Sequence, residues 1–405
     1  MSASPAKKSL LDLAQEVRKR HDGLIALRRD FHRHPELSLQ EHRTAGIIAE
    51  RLHAAGLEVR TGIGGTGVVG VLRGDRPGAV AAWRADIDAL PLTETLPLPF
   101  ASEAPGKMHA CGHDGHTAIA ITMAEALAAH RRELPGTAVF LFQPAEEVFG
   151  GAARMIRDGA LENPHVETVL GLHLTTLLPA GHVAVKAGPS MASADFFDVV
   201  VKGKGGHGAF PHLSIDPITV AAHIVIGLQD LVSREIAAQE TAVLTVGQIE
   251  GGTKHNIIPE TAVLRGSLRT FKEPVRDQLI ERLSAFAARI AQAYRAEAHV
   301  QFSAESGCPA VVNPEDWAGH VHGLAVDEVG AGCVPQVEAV MGSDDMSLFM
   351  KERPGCYFWV GVAPTDKEPM PHHHPGFEMD ERGLDIGVRM GLRTLLYALQ
   401  KQERS

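Results

Sequence analysis

The first sixty residues carry apolar positions at the spacing of a helix. Between residues 10 and 31 these positions recur every three to four residues, as in an amphipathic helix. The apolar set is Leu10, Leu13, Val17, Leu24, Leu27 and Phe31. A second helix is predicted over residues 41–55, ending at Gly56.

The pattern then changes to alternating strands and helices. Short apolar runs predict strands over residues 79–83, 137–142, 166–172 and 357–362. Helical stretches are predicted over residues 117–130 and 150–157. Such alternation indicates an α/β domain with a mainly parallel sheet covered by helices.

The middle of the chain follows another order. A strand, a helix, two strands, a helix and a strand are predicted over residues 195–202, 217–236, 242–249, 261–270, 274–294 and 299–304. This βαββαβ order is that of the α+β ferredoxin-like fold. We therefore expect an inserted domain at residues 188–305. Residues 1–187 and 306–405 then form the α/β domain, which ends with a helix over 381–400.

Composition narrows the classes of partner. The 405 residues suit two domains, and a net charge of −10 without a long Lys/Arg run argues against nucleic acid and anionic membranes as partners. No apolar run approaches the ~20 residues that span a bilayer, and the N-terminus lacks a secretory signal. Four cysteines without a CxxC pair are no disulfide framework, so we expect a cytoplasmic protein.

Several familiar short motifs do not explain the chain. Residues 62–67 match the dinucleotide-binding pattern GxGxxG, but residues 68–72 read as a strand where that fold needs a helix. We therefore predict a hairpin there. The sequence holds no Walker loop, GxSxG elbow or HExxH helix, so phosphotransfer, serine hydrolase and zincin chemistry have no support.

Polar motifs instead follow the predicted strands. Residues 84–88 (RADID) follow one strand, residues 143–147 (QPAEE) follow the next, and His173 closes a third. The carboxyl ends of parallel strands share one edge of a sheet, so these motifs are expected to converge on one crevice.

Residues 109–117 (HACGHDGHT) are placed in the same crevice, ahead of a helix expected from Thr117 with Asp114 as its cap. Cys111 and His113 are two residues apart, so they reach one metal only if the chain loops between them, which Gly112 permits. Thiolate, imidazole and carboxylate ligands suit Zn²⁺ and, with less preference, Mn²⁺, Co²⁺ or Ni²⁺.

Two adjacent acids, Glu146 and Glu147, complete this set of candidate groups. Their position at the end of a strand suggests that the two carboxylates have different roles. One carboxylate binds metal, and the other takes a proton from water.

Together these motifs resemble the hippurate hydrolase branch of the aminoacylase/carboxypeptidase metallopeptidase family. Plant indoleacetyl-amino-acid hydrolases and N-acetyl-diaminopimelate deacetylases belong to the same branch. The resemblance extends from about residue 27 to residue 381, nearly the whole chain. It implies a metal-dependent amidohydrolase that cleaves the amide bond of N-acyl amino acids, with two divalent ions per subunit.

The resemblance also implies roles for particular residues. The implied metal ligands are Cys111, His113, Glu147, His173 and one histidine of residues 372–374, with Glu146 as general base. The family pattern, a His followed two residues later by Pro, selects His373 because Pro375 follows His374. His372 and His374 remain open as alternatives.

In the inserted domain, the resemblance implies a lid that also forms a homodimer. His207, within residues 203–212, would reach the neighbouring subunit's site and polarise the scissile carbonyl. Asn256 and Arg269 match positions that contact substrate. Arg269 would bind the substrate carboxylate through two parallel hydrogen bonds, or else form a structural salt bridge. Residues 343–346 (SDDM) depart from the family's usual Glu and aromatic pair, which bears on substrate preference.

Two other functions compete with this one. A non-catalytic metal-binding protein, such as a sensor or a storage module, would not need Glu146 as a base. A metallo-dipeptidase or carboxypeptidase commonly uses a centre of His, Asp and Glu alone, so Cys111 favours the N-acyl branch. An N-acetyl-diaminopimelate-type deacetylase is the remaining alternative within that branch.

Overall fold

The computed structural model describes the backbone of residues 5–400 and the side chains of residues 15–303 and 307–400. The side chains of Leu10 and Leu13, predicted on the apolar face of the first helix, lie outside the described residues. Contacts divide the described chain into two compact units. The first comprises Met1–Gly188, Val312–Glu338 and Asp345–Ser405, and the second comprises Pro189–Val311 and Ala339–Asp344.

The helices and strands follow one another along the chain. The α-helices among residues 5–400 are α1 Pro5–Arg33, α2 His42–Ala54, α3 His113–Ala128, α4 Gly151–Arg157, α5 Pro217–Asp230, α6 Glu273–Ala293, α7 Glu315–Val329, α8 Met346–Glu352 and α9 Arg382–Leu399. The first strands are β1 Glu58–Ile63, β2 Gly67–Arg73, β3 Arg76–Asp86, β4 Pro135–Gln143, β5 Thr168–Pro179, β6 Val183–Ala184 and β7 Gly188–Met191. The later strands are β8 Ala194–Lys202, β9 Gly206–His207, β10 Ala242–Gly251, β11 Ile257–Ile258, β12 Thr261–Thr270, β13 Glu297–Cys308, β14 Val311–Asn313 and β15 Gly355–Ala363.

The first unit is built on a seven-stranded sheet in the order β1-β2-β4-β3-β5-β15-β6. The four central strands β4, β3, β5 and β15 run parallel, whereas β1, β2 and β6 pair antiparallel at the edges. The sheet is therefore mixed, not mainly parallel as we expected. The edge strands decide this, because residues 62–67 turn the chain back as the predicted hairpin and carry β2 onto β4.

Helices α3 and α9 pack on the central strands and enclose the main core of the first unit. Strand β15 is buried along its whole length, and this burial explains its continuous apolar run. Phe31 and Leu24 of α1 are fully buried in the same core, as the helical spacing predicted. Among residues 5–400, no helix combines the length and the apolar character that crossing a bilayer requires.

The second unit contains a four-stranded antiparallel sheet in the order β10-β12-β8-β13. Its elements run in the order β8, α5, β10, β12, α6, β13, with the short β9 and β11 pairing separately. Alternate residues of β8 are buried, so one face of the strand contributes to the core. Phe197, Val199 and Leu264 lie in that core together with side chains of α5 and α6.

Two segments differ from the predicted domain boundaries. Residues 306–311, which we assigned to the α/β domain, continue the second unit as far as Val311. Ala339–Asp344, which we assigned to the α/β domain, belongs to the second compact unit. Val340 bridges to Met191, and Nη1 of Arg269 donates to the carbonyl oxygen of Met341 at 2.9 Å. These contacts attach the segment to residues of that unit although it lies far from them along the chain.

Candidate metal centre

The polar motifs of the first unit come together at the carboxyl edge of its parallel strands. Asp86, the last residue of β3, lies opposite Gln143, the last residue of β4. On the other side of β3, Arg84 pairs with Gly171 of β5, two residues before His173. The sheet register therefore brings the three motifs to one edge.

The first turn of α3 carries the HACGHDGHT motif into this edge. The helix begins at His113, earlier than the predicted Thr117, and Gly112 precedes it with φ +91°. A left-handed residue at this point suits glycine, and it turns Cys111 and His113 toward a common centre. The Asp114 carboxylate accepts hydrogen bonds from the Gly115 amide and from His32, and Arg28 lies 2.8 Å away. Our prediction that Asp114 caps the helix is therefore wrong, because it lies inside the first turn and is paired by α1.

Among the described residues, three groups of close ligand atoms consist of the predicted ligands and the predicted base. Within each group the atoms lie within 4.8 Å of one another, and the groups are Cys111, His113 and His173; Cys111, Glu147 and His373; and His113, Glu146 and Glu147. The Cys111 sulfur is 3.6 Å from Nε2 of His173. Nε2 of His113 is 3.9 Å from a Glu147 oxygen and 4.0 Å from a Glu146 oxygen. Such separations leave room for a cation between the atoms.

The two buried histidines are oriented by backbone carbonyl oxygens. Nδ1 of His113 donates to the carbonyl oxygen of Asp88 at 2.9 Å, and Nδ1 of His173 donates to that of Leu174 at 2.6 Å. Because a carbonyl oxygen only accepts, each Nδ1 carries a proton, and Nε2 is the nitrogen of each ring that is left to bind a metal ion. Burial lowers the pKa of His173 to about 3, so its imidazole is neutral at neutral pH.

The donor set fits a divalent cation. Nε2 of His113 and Oε1 of Glu147 are both buried without a hydrogen-bond partner among the described residues. A buried polar atom without a hydrogen-bond partner costs about 1–3 kcal/mol, and a metal ion would be a partner for both atoms once Nε2 is deprotonated. Burial also raises the pKa of the Cys111 thiol, so a nearby cation is what would favour its thiolate.

His116 lies beside the cluster but is already engaged. Its Nδ1 pairs with the Asp86 carboxylate, and its Nε2 accepts from the Leu174 amide at 2.9 Å. Both nitrogens are therefore occupied by protein. Asp86 is fully buried; although burial alone would raise its pKa, the charges of His113 and Arg84 hold that pKa well below its ordinary range.

Asp88, to which sequence analysis assigned no role, contacts several groups of the cluster. Its two carboxylate oxygens accept the backbone amides of Glu146 and Glu147, each at 3.1 Å. Ser38 donates to the same carboxylate at 2.7 Å. Together with its carbonyl contact to His113, Asp88 therefore orients both glutamates and one histidine. Its position two residues after the end of β3 could have marked it in the sequence, because functional groups gather at the carboxyl ends of parallel strands.

Residues 372–374 contribute unequally to the cluster. Nε2 of His373 lies 3.3 Å from a Glu147 oxygen. Nδ1 of His372 lies 4.0 Å from the Cys111 sulfur, and its ring stacks on that of His173. Nδ1 of His374 accepts from the Gly376 amide at 3.0 Å. His373 thus belongs to one of the groups of close ligand atoms, whereas His372 lies at the edge of the cluster.

The three candidate residues of the inserted segment lie in the second unit. His207 is on the exposed β9, which pairs with β11, and the carbonyl oxygen of Asn256 accepts from the Gly208 amide at 2.9 Å. These two residues are therefore neighbours. Nη1 of Arg269 donates to Met341 and to the Ser343 hydroxyl, each at 2.9 Å. One nitrogen of that guanidinium thus holds the 341–343 segment.

Comparison with known proteins identifies the family of the chain. Residues 82–397 match the model of Peptidase family M20/M25/M40. The chain belongs to this family. It is 41% identical over 367 residues to N-acetylcysteine deacetylase of Bacillus subtilis (strain 168), covering 90% of this chain and 94% of that protein. It is 37% identical to thermostable carboxypeptidase 1 of Saccharolobus solfataricus, covering 93% and 95%.

A solved member of the M20 family has the same fold. The YxeP protein of Bacillus subtilis, described as a dinuclear metal binding peptidase, superposes with a TM-score of 0.80 at 36% identity, covering 94% of this chain and 99% of that one. Membership of the M20 family makes the chain a metal-dependent hydrolase, which confirms the predicted class of enzyme. The non-catalytic metal-binding alternative is therefore wrong.

Proposed function

We propose that this M20 hydrolase cleaves the amide bond of N-acyl amino acids such as hippurate. The observation that carries the proposal is the adjacent pair Glu146 and Glu147, both held by Asp88 and both about 4 Å from Nε2 of His113. The similarity to N-acetylcysteine deacetylase supports an N-acyl substrate, as does the thiol of Cys111 among the candidate ligands.

The proposed ligands are Cys111, His113, Glu147, His173 and His373, shared between two divalent ions. A bound ion would polarise the amide carbonyl and lower the pKa of water toward ~7. The ligand set of thiolate, imidazole and carboxylate is compatible with Zn²⁺, Mn²⁺, Co²⁺ or Ni²⁺.

Glu146 is the proposed general base. Its carboxylate takes a proton from the attacking water as the new C–O bond forms. The same proton then passes to the amine nitrogen as the C–N bond breaks, which releases the free amino acid and the carboxylic acid. Glu146 is 6% exposed, so bulk water competes little for this proton.

His207 is the proposed donor to the carbonyl oxygen. Its Nδ1 accepts from the Ala209 amide at 3.1 Å, so the ring proton lies on Nε2, where it is available to an oxyanion. His207 is exposed in the second unit, and we propose that a homodimer brings it to the partner's centre. Val243 and Ile249, which are 39% and 59% exposed on the edge strand β10, supply apolar surface for such an interface.

Asn256 and Arg269 are the proposed substrate contacts of this unit, which would act as a ferredoxin-like lid and dimerisation domain. Asn256 lies beside His207, so both side chains can reach one substrate. Arg269 would offer its remaining guanidinium nitrogens to the substrate carboxylate, with Nη1 anchored on residues 341–343.

Carboxypeptidase activity is the second candidate, because a thermostable carboxypeptidase is 37% identical over 385 residues. A substrate panel separates the two activities. Metal-reconstituted protein is assayed with benzoyl, acetyl and indoleacetyl amino acids and with free-amino dipeptides. We expect the N-acyl compounds to have the higher kcat/KM. Preference for the dipeptides would overturn the proposed substrate class and favour the carboxypeptidase.

The division of roles within the glutamate pair is tested by Glu146→Ala beside Glu147→Ala, with Glu133→Ala as a surface control. We expect Glu146→Ala to keep its metal and to lose ~10²–10⁴ in kcat. Glu147→Ala is expected to lose metal, measured by elemental analysis. Metal loss in the first variant and turnover loss alone in the second would invert the assignment. Unchanged activity in both would overturn the mechanism.

A further inference from the structure

The glycine-rich turn at residues 62–67 is not explained by the proposed chemistry. It nevertheless contacts the loop between β4 and α4, residues 144–150, which carries Glu146. Within that turn, the Thr66 hydroxyl donates to one carboxylate oxygen of Glu41. The other oxygen of Glu41 accepts the backbone amide of Ala145 at 2.9 Å. Ala145 immediately precedes Glu146. Glu41, Thr66 and Ala145 are all buried, so this chain of hydrogen bonds is shielded from water.

Ala145 has a backbone conformation that requires support. Its φ is +53°, in the left-handed region that residues with a Cβ atom seldom adopt. Its carbonyl oxygen accepts the amides of Gly150 and Gly151 at 3.0 and 3.2 Å. Its own amide points into the protein and meets the Glu41 carboxylate. Without that acceptor the amide would be a buried donor lacking its partner, which favours another conformation of the loop.

The glycines of the turn allow it to approach this loop closely. A Cβ atom at Gly67 would lie 2.9 Å from Cδ of Pro144, and one at Gly64 would lie 2.7 Å from Cγ of Met155 in α4. The amide of Gly64 also donates to Asp158 at 2.8 Å. The turn therefore contacts the chain on both sides of Glu146, at Pro144 before it and at Met155 after it. This packing accounts for two of the three glycines in the GxGxxG match, Gly64 and Gly67.

We infer that Glu41, held by Thr66, is a positioning residue that fixes the left-handed Ala145 and thereby directs the Glu146 carboxylate toward the reacting centre. The inference rests on the proposed function for the role of Glu146 as base. The contacts to Ala145 stand without it. Glu41 acts through the backbone of its neighbour, so it should affect kcat more than KM.

The test compares Glu41→Ala, Glu41→Gln and Thr66→Val with wild type. Gln keeps an acceptor for the Ala145 amide and is the conservative variant. Glu328→Ala is the matched control, because Glu328 is 8% exposed and pairs with Arg389 and Arg393 away from the loop. Amide hydrogen exchange of residues 143–151 is measured on chelator-treated protein, so this readout does not depend on activity. Metal content, kcat and KM are then measured after reconstitution, with whichever compound of the panel wild type hydrolyses best.

We expect Glu41→Ala to speed exchange in residues 143–151 and to lower kcat by ~10–100-fold, with KM and metal content little changed. Thr66→Val should show a smaller effect in the same direction, and it remains informative if Glu41→Ala does not fold. Glu41→Gln should recover most of the activity. Glu328→Ala should leave loop exchange and kcat at wild-type values.

Unchanged loop exchange in Glu41→Ala would overturn the inference, as would faster exchange with unchanged kcat. Loss of metal together with kcat would show that Glu41 supports the ligands and not the base, which also overturns it. If wild type prefers dipeptides, the proposed substrate fails while the loop result still decides the role of Glu41.

Discussion

The two units of the chain bury different kinds of side chain. At the sheet edge of the first unit, Arg84, Asp86 and Asp114 are at most 1% exposed, and their charges are paired within the protein. The core of the second unit is built from apolar side chains, and its ion pairs, such as Arg282 with Glu235, lie nearer the surface. The bidentate contact of Arg276 with Asp195 is the more buried exception.

This difference shows where chemistry rather than stability determines the choice of residues. Removing a charge from water costs free energy that pairing only partly returns, so apolar packing is the simpler way to stabilise a fold. A buried cluster of acids, bases and a thiol therefore points to a functional site. The second unit has a fold that apolar packing explains, and its candidate residues His207 and Asn256 are exposed.

The largest expected effect comes from breaking the buried charge cluster. Arg84→Met removes the cation that donates to Asp86 at 2.7 Å and to Asp345 at 3.1 Å. We expect the free energy of unfolding to fall by about 3–5 kcal/mol, because two buried carboxylates lose their partner. Urea denaturation measures this loss. Arg282→Met in the second unit is the control and should not shift the midpoint measurably. Equal losses of stability in Arg84→Met and Arg282→Met would contradict the proposed difference between the two units.

Truncating a core side chain of the second unit should cost nearly as much stability, but it should leave metal binding unchanged. Leu264, on β12, is fully buried, and Leu264→Ala is expected to cost about 2–5 kcal/mol of stability. Metal content should stay at the wild-type level, since the ligand groups belong to the first unit. Ile226→Ala, at a position 70% exposed, is the control and should change stability by no more than about 0.5 kcal/mol. Metal loss in Leu264→Ala would contradict the separation of roles.

Metal binding should protect the first unit from hydrogen exchange more than it protects the second unit. A divalent ion at 100 times its Kd is expected to stabilise the protein by about 2.7 kcal/mol, and a chelator should reverse this. Added protection in hydrogen exchange should concentrate in residues 84–88, 109–117 and 143–151. The same experiment on Glu147→Ala should show a much smaller shift. Protection spread equally over β8 and β12 would count against a centre confined to the first unit.

The smallest expected effect is that of a surface pair on α1 and α9. Nδ1 of His21 donates a hydrogen bond to the Asp385 carboxylate, and this bond raises the pKa of His21 above its ordinary value of 6.5. A raised pKa in the folded state gives stability that is present below pH 6.5 and lost as the pH rises through the folded pKa. His21→Gln should therefore lower Tm slightly at pH 6 and not at pH 9. A difference that persists at pH 9 would show that packing, not charge, is responsible.

Several features could be predicted from the sequence because they are local. The spacing of Leu24 and Phe31 indicated the burial of α1, and the apolar run of β15 indicated a buried strand. The start of α3 was missed because its residues from His113 to Ala124 are all buried, so this part of the helix has no solvent-exposed face and no amphipathic period. The antiparallel edges of the sheet were missed because strand pairing is decided between distant segments.

The chain by itself determined the chemical types at the centre, since a thiol, imidazoles and paired carboxylates follow its strands in a recognisable order. Only the tertiary structure decided which atoms meet. The carbonyl oxygen of Asp88 selects Nε2 of His113 as the available nitrogen, and Glu41 reaches the amide of Ala145 across 104 residues. The physical reason is that helix and strand periods are encoded over a few residues. Hydrogen-bond partners far apart in the chain exist only after the core has packed.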